Sequence, residues 1–431
     1  MKNRNSKSEI RNSEIPRGFR FAATACGLKK KPGALDLALI VSEAPASAAA
    51  VFTTNLVKAA PVRVSEQHVR RSRGRMRAIV VNAGNANCCT GPKGLRASRA
   101  TAEAVARAIG CAPEGVVVCS TGVIGVPLRV EKILNALPGL VREQAASAEA
   151  CTGVARAIMT TDTRPKWAAA RCRIGRRTVR LLGYAKGAGM IAPRMATMLA
   201  FIVTDAAIAP ALLQRALREV VGSTFNRITV DGDTSTNDTV AVLANGASGA
   251  PLVTRHSALA TRHSRDYKQF VSALESVCRK LALAIVADGE GAQRVVEIEV
   301  RGAQSKPAAE QLARTIANSP LVKTALAGAD PNWGRILAAA GRSGVRFDPD
   351  RATVWMAGIK VYARGNALPF DERAAHKKLL APFVKIVVDL GIKPNAELRV
   401  SSFDARSQRC ARIWTCDFTT AYVDINASYR T

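Results

Sequence analysis

The stretch KGAGMIAPRMATMLAF, residues Lys186–Phe201, combines a lysine, two glycines and a proline with one threonine, Thr197, among small and apolar residues. A hydroxyl in such surroundings needs a partner, because an unpaired buried hydroxyl costs ~1–3 kcal/mol. One interpretation is an ordinary buried threonine bonded to a neighbouring carbonyl. The other is that Thr197 Oγ attacks the carbonyl carbon of Ala196.

The second interpretation predicts self-cleavage of the chain. An N→O acyl shift followed by hydrolysis would cut the Ala196–Thr197 bond and leave Thr197 as a new N-terminal residue. A threonine with a free α-amine carries its own general base, since that amine has a reference pKa of about 7.7–8.0. The residues of this stretch alone leave both interpretations open.

Composition favours a large soluble protein. The chain has 431 residues, of which 48% are hydrophobic, so it predicts two or three domains or two paired halves. No apolar run approaches the ~20 residues that span a bilayer. Residues 1–15 form a polar extension of mixed charge without the apolar core of a secretory signal. The prediction is a cytoplasmic protein with no membrane partner.

The metal-ligating and redox-active residue types do not form a recognisable site. The ten cysteines include no C-x-x-C pair, which predicts reduced and mostly buried thiols. The histidines lie outside every motif-rich loop, which argues against a metal site or a histidine-based triad. They are His68, His256, His263 and His376.

The net charge of +30 suggests a nucleic-acid partner at first sight. The basic residues are nevertheless spread along the whole chain, and aromatic residues make up only 5%. This distribution indicates a compositional bias, so no nucleic-acid partner is predicted. A basic nucleic-acid-binding protein stays as the alternative, and it would bind with steep salt dependence and without chain cleavage.

Periodicity predicts both strands and helices. The expected strands are Leu35–Val41, Ala78–Val81, Val116–Cys119, Thr178–Tyr184, Met198–Val203 and Val295–Val300. The expected helices are Ala97–Ile109, Ala211–Val221 and Tyr267–Val286.

Polar motifs follow several of these elements. The strand Val116–Cys119 leads into Thr121-Gly122, where backbone N–H groups with little side-chain cover stabilise an oxyanion by ~3–4 kcal/mol per donor, or simply form a turn. Ile158–Thr163 (IMTTDT) gathers hydroxyls around one carboxylate, as a helix N-cap cluster does. Gly187-x-Gly189 lacks the spacing of a phosphate loop, and Asp231–Asp238 lacks the glutamate of a calcium loop.

In order and wording, these segments resemble the ornithine acetyltransferases, or glutamate N-acetyltransferases, of arginine biosynthesis. The resemblance spans roughly residues 16–431 and is most specific in Lys186–Phe201 and in Asp231–Asp238 (DGDTSTND). The loop Asn82–Asn87 (NAGNAN) resembles a loop near the active site of that family. Arg194, Ala83 and the basic excess depart from its usual pattern.

The resemblance implies a layered α/β (α+β) fold of the ornithine-acetyltransferase type, DmpA/ArgJ-like, with two intimately packed parts sharing one active site. Residues 16–196 would form an alpha chain and residues 197–431 a beta chain. Two copies of each would make a heterotetramer. Thr197 would be the nucleophile, and Thr121 with Gly122 the oxyanion hole. Substrate contacts would come from Thr160, Lys186, Thr197, Glu290 (toward the α-amino group), Asn426 and Thr431. Thr161 and Thr163 stay as alternatives to Thr160.

The implied reaction moves an acetyl group from N2-acetyl-L-ornithine to L-glutamate through acetyl-Thr197. The substrates are small molecules, and neither a metal nor another cofactor is implied. Acetyl-CoA as a second acetyl donor is left open. A self-processing amidase or aminopeptidase is the rival enzyme, since it shares the nucleophile and lacks the transfer to glutamate.

Overall fold

The structure is a computed structural model that describes residues 10–192, 198–252, 264–392 and 409–427. The chain divides into two units. The first consists of Met1–Asn226 with Asp233–Ile285, and the second of Arg227–Gly232 with Val286–Thr431.

The first unit is built on a mixed sheet. Its strands are β1 (Phe19–Thr24), β2 (Leu37–Phe52), β3 (Arg75–Asn85), β4 (Val116–Val123), β5 (Lys166–Ile174), β6 (Arg177–Lys186), β7 (Leu199–Thr204) and β8 (Thr239–Ala244). Its helices are α1 (Ala60–Arg71), α2 (Gly91–Ile109), α3 (Val130–Arg142), α4 (Ala148–Ala157), α5 (Pro210–Ser223) and α6 (Arg265–Ala287). Short 3-10 turns cover Asn12–Glu14, Pro113–Gly115 and Phe225–Arg227.

Among the described residues, these eight strands form one sheet in the order β4-β3-β2-β8-β7-β6-β5, with β1 paired to β2. The β3–β4 and β7–β8 pairs are parallel, and the other neighbours are antiparallel. The long strand β2 supports two neighbours on one side, since Leu37–Ser42 pairs with β1 and Ser47–Phe52 pairs with β8.

Both faces of this sheet are buried, because successive side chains of a strand point to opposite faces. Leu37, Leu39 and Val41 pack in one cluster with apolar residues of α2 and α3. Ala38 and Ile40 belong to the opposite cluster, which includes residues of α4. The run of apolar residues in β2 therefore reflects two covered faces.

In the order of the chain, the bond predicted to be cleaved comes after β6 and before β7, two strands that pair in this sheet. Strand β6, which precedes it, pairs antiparallel with β7, which follows it. Strand β7 is buried along its whole length and also pairs with β8. Strands β7 and β8, which follow the Ala196–Thr197 bond in the chain, thus lie in the sheet between β2 and β6, which precede it.

The second unit contains a six-stranded sheet among its described residues, in the order β12-β11-β10-β13-β9-β14. The strands are β9 (Val295–Arg301), β10 (Thr353–Met356), β11 (Ile359–Ala363), β12 (Asn366–Ala367), β13 (Phe383–Asp389) and β14 (Ala411–Cys416). The helices are α7 (Lys306–Ala317), α8 (Pro320–Ala327), α9 (Trp333–Gly341), α10 (Glu372–Leu379) and α11 (Thr420–Ala427), with a 3-10 turn at Pro349–Arg351. Apolar residues of the sheet, α7, α8 and α9 form one core.

The mixed α/β class and the predicted elements are confirmed. Most ends shift by a few residues, but β2 continues to Phe52 where the prediction ended at Val41, and α2 begins at Gly91 where the prediction began at Ala97. Residues 10–15, assigned to a polar extension, include Ile10 and Ile15, which are buried against the first sheet. All ten cysteines are free, in agreement with the prediction of reduced thiols. Five of them are buried, four are partly buried and Cys89 is exposed, so burial is less general than predicted. No helix in the described part of the chain has the length and apolar character of a membrane span.

Packing of α6 against β6 predicts a stability effect at Gly183. A Cβ there would lie 2.6 Å from Val277 Cγ1 and 3.0 Å from Leu281 Cδ1. We expect Gly183→Ala to lower the free energy of unfolding by about 1–3 kcal/mol, because the added methyl overpacks the interface. Gly222→Ala in α5 is the control. A Cβ at Gly222 meets nothing within 4 Å apart from its own helix, so a gain of about 0.5–1 kcal/mol is expected. Denaturant unfolding measures both, and equal stability of the two variants would contradict the packing.

Candidate active site

A buried carboxylate, Asp162, organises the polar centre of the first unit. It lies in the turn between α4 and β5, and its Oδ1 accepts hydrogen bonds from Lys166 Nζ at 2.5 Å and from the backbone N of Gly187 at 2.7 Å. Its Oδ2 accepts from the backbone N of Thr160 at 2.9 Å. One side chain therefore ties together the turn that holds Thr160, the start of β5 and the end of β6.

The charges around Asp162 keep it ionised. Burial by itself raises the pKa of its carboxyl, but the cations of Lys186 and Lys166 and the N–H of Gly187 outweigh it and hold the pKa at about 2. Lys29 is also near, since its pKa is lowered by burial and by Lys186 and is raised by the carboxylates of Asp36 and Asp162. The amines of Lys29, Lys166 and Lys186 thus lie near two buried carboxylates, Asp36 and Asp162, so positive charge is in excess.

Lys186 connects this cluster to Thr121. Its Nζ donates to Thr121 Oγ1 at 3.2 Å, and both side chains are buried. A lysine ammonium can only donate, so the threonine oxygen is the acceptor in this bond. The hydroxyl hydrogen of Thr121 is therefore left for another acceptor, and the hydroxyl can donate where negative charge develops.

Gly122, the next residue, can only be glycine. Its φ is 131°, a backbone conformation that favours glycine. A Cβ at Gly122 would collide with the backbone of Gly84 and Asn85 on β3, which pairs in parallel with β4. The close approach of the two backbones fixes the position of the peptide that joins Thr121 to Gly122.

Buried amides hold the ends of β3 and β4 in place. Ser120 Oγ donates to Asn82 Oδ1 at 2.6 Å, and Asn82 Nδ2 donates to Asn85 O at 2.9 Å. Asn237 Nδ2 donates to Ser120 O at 2.8 Å and to Ala86 O at 2.7 Å. The loop Asn82–Asn87 and the segment before β8 are therefore joined around Thr121.

The segment before β8 also holds both described neighbours of the predicted cleavage site. Thr234 Oγ1 donates to Ala192 O at 2.9 Å, and the backbone N of Met198 donates to Asp238 Oδ1 at 2.8 Å. Burial raises the pKa of Asp238 well above its ordinary value, against the opposing effects of the Met198 N–H and Lys186. Met198 follows Thr197 in the chain, so this hydrogen bond fixes the backbone immediately after Thr197.

A separate polar pair lies in the second unit. Asn426 Nδ2 of α11 donates to Glu290 Oε2 at 2.8 Å and to Tyr422 O at 2.9 Å. Glu290, in the turn after α6, is buried, whereas Asn426 is exposed. Thr419 Oγ1 donates to Gly291 O at 2.7 Å, which fixes the start of α11 beside that turn.

Known proteins similar to this chain cover almost all of it. The sequence profile described as the ArgJ family matches residues 20–431. The chain belongs to the ArgJ family. The "Arginine biosynthesis bifunctional protein ArgJ" of Thermosynechococcus vestitus is 47% identical over 418 residues, or 96% of this chain and 97% of that protein. The protein of the same name from Brucella suis is 46% identical over 417 residues, or 96% and 95% of the two chains.

Solved structures include the crystal structure of arginine biosynthesis bifunctional protein ArgJ from Bacillus halodurans. It has 39% sequence identity and a TM-score of 0.46, and the match covers 52% of this chain and 96% of that chain. The family resemblance seen in the sequence is confirmed by the profile match and by the two curated relatives.

The structure brings the predicted residues of this ArgJ-family chain together in two sets. Thr121, Gly122, Lys186 and Thr160 meet around Asp162 in the first unit, and Glu290 meets Asn426 in the second. Thr197, Ala196 and Thr431 lie outside the described residues. The N-cap interpretation of Ile158–Thr163 is wrong, because α4 ends at Ala157 and is capped by Ser147 at its other end.

Several residues of the site were missed from the sequence. Lys29 and Lys166 stand in no recognisable motif, and their part in the charge cluster depends on the fold. Asp162 and Asp238 were noticed only as members of polar runs. A usable signal was present, since an aspartate between apolar strands must be paired when it is buried.

Among the described residues, no group of three or more His, Cys, Asp and Glu side chains is arranged to hold a metal ion. The polar centre of the first unit is instead made of amines, amides and hydroxyls around the buried carboxyl groups of Asp162 and Asp238.

Removing the charge of Asp162 tests how the site is held together. We expect Asp162→Asn to lower the free energy of unfolding by about 3–5 kcal/mol at neutral pH, because it leaves buried Lys166 and Lys186 without their counter-charge. Glu43→Gln is the control. It removes the ion pair with Arg20, whose side chains are 49% and 47% exposed, and changes of at most about 1 kcal/mol are expected.

The same pair of variants has a pH signature. The pKa of Asp162 in the folded chain, about 2, lies below the reference aspartate value of about 3.9. Its charged form therefore stabilises the fold above about pH 4, and this contribution is lost as the pH falls toward about 2. Wild type should lose more stability over this range than Asp162→Asn. An asparagine variant with wild-type stability at neutral pH would contradict the role of Asp162.

Proposed function

We propose that this chain is an acyltransferase of arginine biosynthesis that transfers the acetyl group of N2-acetyl-L-ornithine to L-glutamate, giving L-ornithine and N-acetyl-L-glutamate. Thr197 is the nucleophile, and self-cleavage between Ala196 and Thr197 frees its α-amine. Membership of the ArgJ family supports this proposal, since the relatives that match 96% of the chain are named for arginine biosynthesis.

The structural observation that carries the proposal is the hydrogen bond from Lys186 Nζ to Thr121 Oγ1. It turns the Thr121 hydroxyl into a donor toward a third group, beside the constrained peptide of Gly122. Preorganised donors of this kind stabilise the oxyanion of an acyl-transfer intermediate. They stand on β4 of the sheet that also contains β7, the strand that follows Thr197.

Self-cleavage makes the nucleophile. Thr197 Oγ attacks the carbonyl carbon of Ala196, the C–N bond of that peptide breaks, and the nitrogen of Thr197 takes up the proton. Water then hydrolyses the resulting ester, which gives Ala196 a carboxylate and Thr197 a free amine and hydroxyl. The hydrogen bond from the backbone N of Met198 to Asp238 holds the chain on the other side of Thr197 during both steps.

Acetyl transfer repeats this chemistry on the substrate. The amine of Thr197 accepts the proton as Oγ attacks the acetyl carbonyl, and Thr121 with Gly122 stabilises the oxyanion. The C–N bond to ornithine breaks, the proton passes to the leaving amine, and acetyl-Thr197 remains. The amine of glutamate then attacks the ester and releases Thr197. Ping-pong kinetics follow from the covalent intermediate.

The cationic cluster around Asp162 suits the α-carboxylate that both substrates share. We assign this carboxylate to Lys186 and to the hydroxyl of Thr160, whose backbone N is bonded to Asp162. Glu290 would bind the α-amino group, and Asn426 and Thr431 would bind the rest of the amino acid. Because donor and acceptor share this end, one set of contacts positions both for attack at the same carbonyl.

Acetyl-CoA is a second donor in this proposal, in keeping with the word bifunctional in the names of the relatives. The enzyme would act in the cytoplasm as two copies of each fragment and use no metal or other cofactor. Strands β6 and β7 come from different fragments, so the fragments are expected to stay joined by the sheet after cleavage.

Self-cleavage can be tested on the purified chain. We expect denaturing electrophoresis and N-terminal sequencing to give one fragment that ends at Ala196 and one that begins at Thr197. Size-exclusion chromatography without denaturant should keep the fragments together, and Thr197→Ala should stay as one chain. A wild-type protein that remains whole and still transfers acetyl groups would refute this mechanism, and hydrolysis without transfer to glutamate would favour an amidase.

The oxyanion role of Thr121 can be tested by a pair of substitutions. We expect Thr121→Val to lower kcat by about 10²–10³-fold, because it removes one donor to the developing charge. Thr121→Ser keeps the hydroxyl and should retain most of the activity. Steady-state kinetics with N-acetylornithine and glutamate measure both, after confirming that each variant is cleaved. Equal losses in the two variants would argue against a hydroxyl donor.

A further inference from the structure

A cationic pocket lies on the first unit along α1 and the loop that precedes it. It has a volume of about 630 Å³, which is within the usual range of ligand pockets. The loop before the helix and one face of the helix form its walls. The residues that matter for its chemistry are Leu56, Val57, Lys58, Arg63, Glu66 and Arg70.

The charges of this pocket exceed what its single carboxylate can balance. Lys58 Nζ pairs with Glu66 Oε1 at 2.5 Å. Arg63 and Arg70 lie two helical turns apart, so both project from the same face of α1. Both are exposed, and within the described part of the chain neither forms an ion pair. Guanidinium groups in this state bind phosphate oxygens through paired N–H donors.

The same pocket has an apolar wall. Leu56 is 99% exposed and Val57 is 52% exposed, although both are large hydrophobic residues. They stand next to each other in the loop that leads into α1. An occupant that matches this pocket has both phosphates and an apolar part, as a phosphorylated nucleotide with a partly apolar arm does.

Two hydrogen bonds tie the pocket loop to the proposed active site. Asn55 Nδ2 donates to Thr234 O at 2.8 Å, and the backbone N of Ala59 donates to Thr236 O at 2.9 Å. Thr236 is two residues, or at most about 7 Å of chain, from Asp238, which accepts from the Met198 backbone N. The pocket thus adjoins the segment that holds the chain next to Thr197.

We propose that this pocket binds the phosphorylated nucleotide of acetyl-CoA and so serves as the site of the second acetyl donor. This inference rests on the proposed function, because it needs Thr197 as the acetyl acceptor. Thr197 Oγ attacks the thioester carbonyl, the C–S bond breaks, and the proton passes to the sulfur as CoA leaves. Acetyl-Thr197 then transfers its acetyl group to glutamate as before.

The amino-acid substrates do not require this pocket. N-acetylornithine and glutamate carry carboxylates, for which the cluster of Lys29, Lys166 and Lys186 is already present. Neither substrate has phosphates that would use Arg63 and Arg70. N-acetylornithine and acetyl-CoA would consequently be bound by different groups of cations, although both acetylate Thr197.

Donor-specific kinetics test the assignment. We expect the double variant R63A/R70A to raise the KM for acetyl-CoA by about tenfold or more, because each charge-assisted contact to phosphate is lost. With N-acetylornithine as donor, kcat/KM should stay within about twofold. Arg218→Ala, at an exposed arginine of α5 outside the pocket, is the control and should change neither donor. Equal losses with both donors in R63A/R70A would overturn the proposal.

Binding without turnover separates this inference from the proposed function. Calorimetric titration of the wild-type protein should give tighter binding for CoA than for dephospho-CoA, and the weakest binding for pantetheine. R63A/R70A should lose the preference for CoA.

If wild type transfers acetyl groups from N-acetylornithine but CoA binds no better than pantetheine, the pocket assignment fails and the proposed function stands. If no transfer occurs at all, the proposed function fails, and the titration still decides whether the pocket binds CoA. Equal affinity for a random single-stranded oligonucleotide and CoA would indicate a general polyanion site and would also overturn it.

Discussion

The buried carboxylate of Asp162 is the interaction on which the polar centre of the first unit depends. Its two oxygens accept from Lys166, from the backbone at Thr160 and from the backbone at Gly187. Two nearby cations hold its pKa at about 2 despite burial, so the charge is permanent under ordinary conditions. This buried anion is a counter-charge for Lys186, whose Nζ donates to Thr121 Oγ1, and that bond leaves the threonine hydroxyl hydrogen for another acceptor.

The continuous sheet gives the proposed nucleophile its precision. Strand β7 begins two residues after Thr197 and lies between β6 and β8, with every residue buried. A new chain end would normally fray, which destroys the alignment that nucleophilic catalysis needs. Here the backbone N of Met198 is bonded to Asp238 and its carbonyl accepts from Thr239 N, so order extends to the residue next to Thr197. Cleavage would cost the sheet none of its strand pairs.

The positions of individual charges are more informative about the proposed function than the net charge of +30. Around Asp162 the amines outnumber the carboxylates, and burial raises the pKa of Asp238 so that it offsets little of that excess. Along one face of α1, Arg63 and Arg70 form a second cationic surface, and exposed Leu56 and Val57 lie in the loop before the helix. Two cationic surfaces of different chemistry agree with the proposed use of both amino acids and a nucleotide-linked acyl donor.

The sequence by itself determined the mixed α/β class, the positions of most predicted strands and helices, and the family, because apolar periodicity and local motifs are properties of neighbouring residues. It also singled out Thr121, Lys186, Glu290 and Asn426 through the family pattern. Only the tertiary structure decided which groups meet. Lys186 and Thr121 are 65 residues apart, and Asn426 and Glu290 are 136 apart. Such pairs form because buried polar groups must find partners wherever the sheets bring them, and that requirement leaves no periodic trace in the chain.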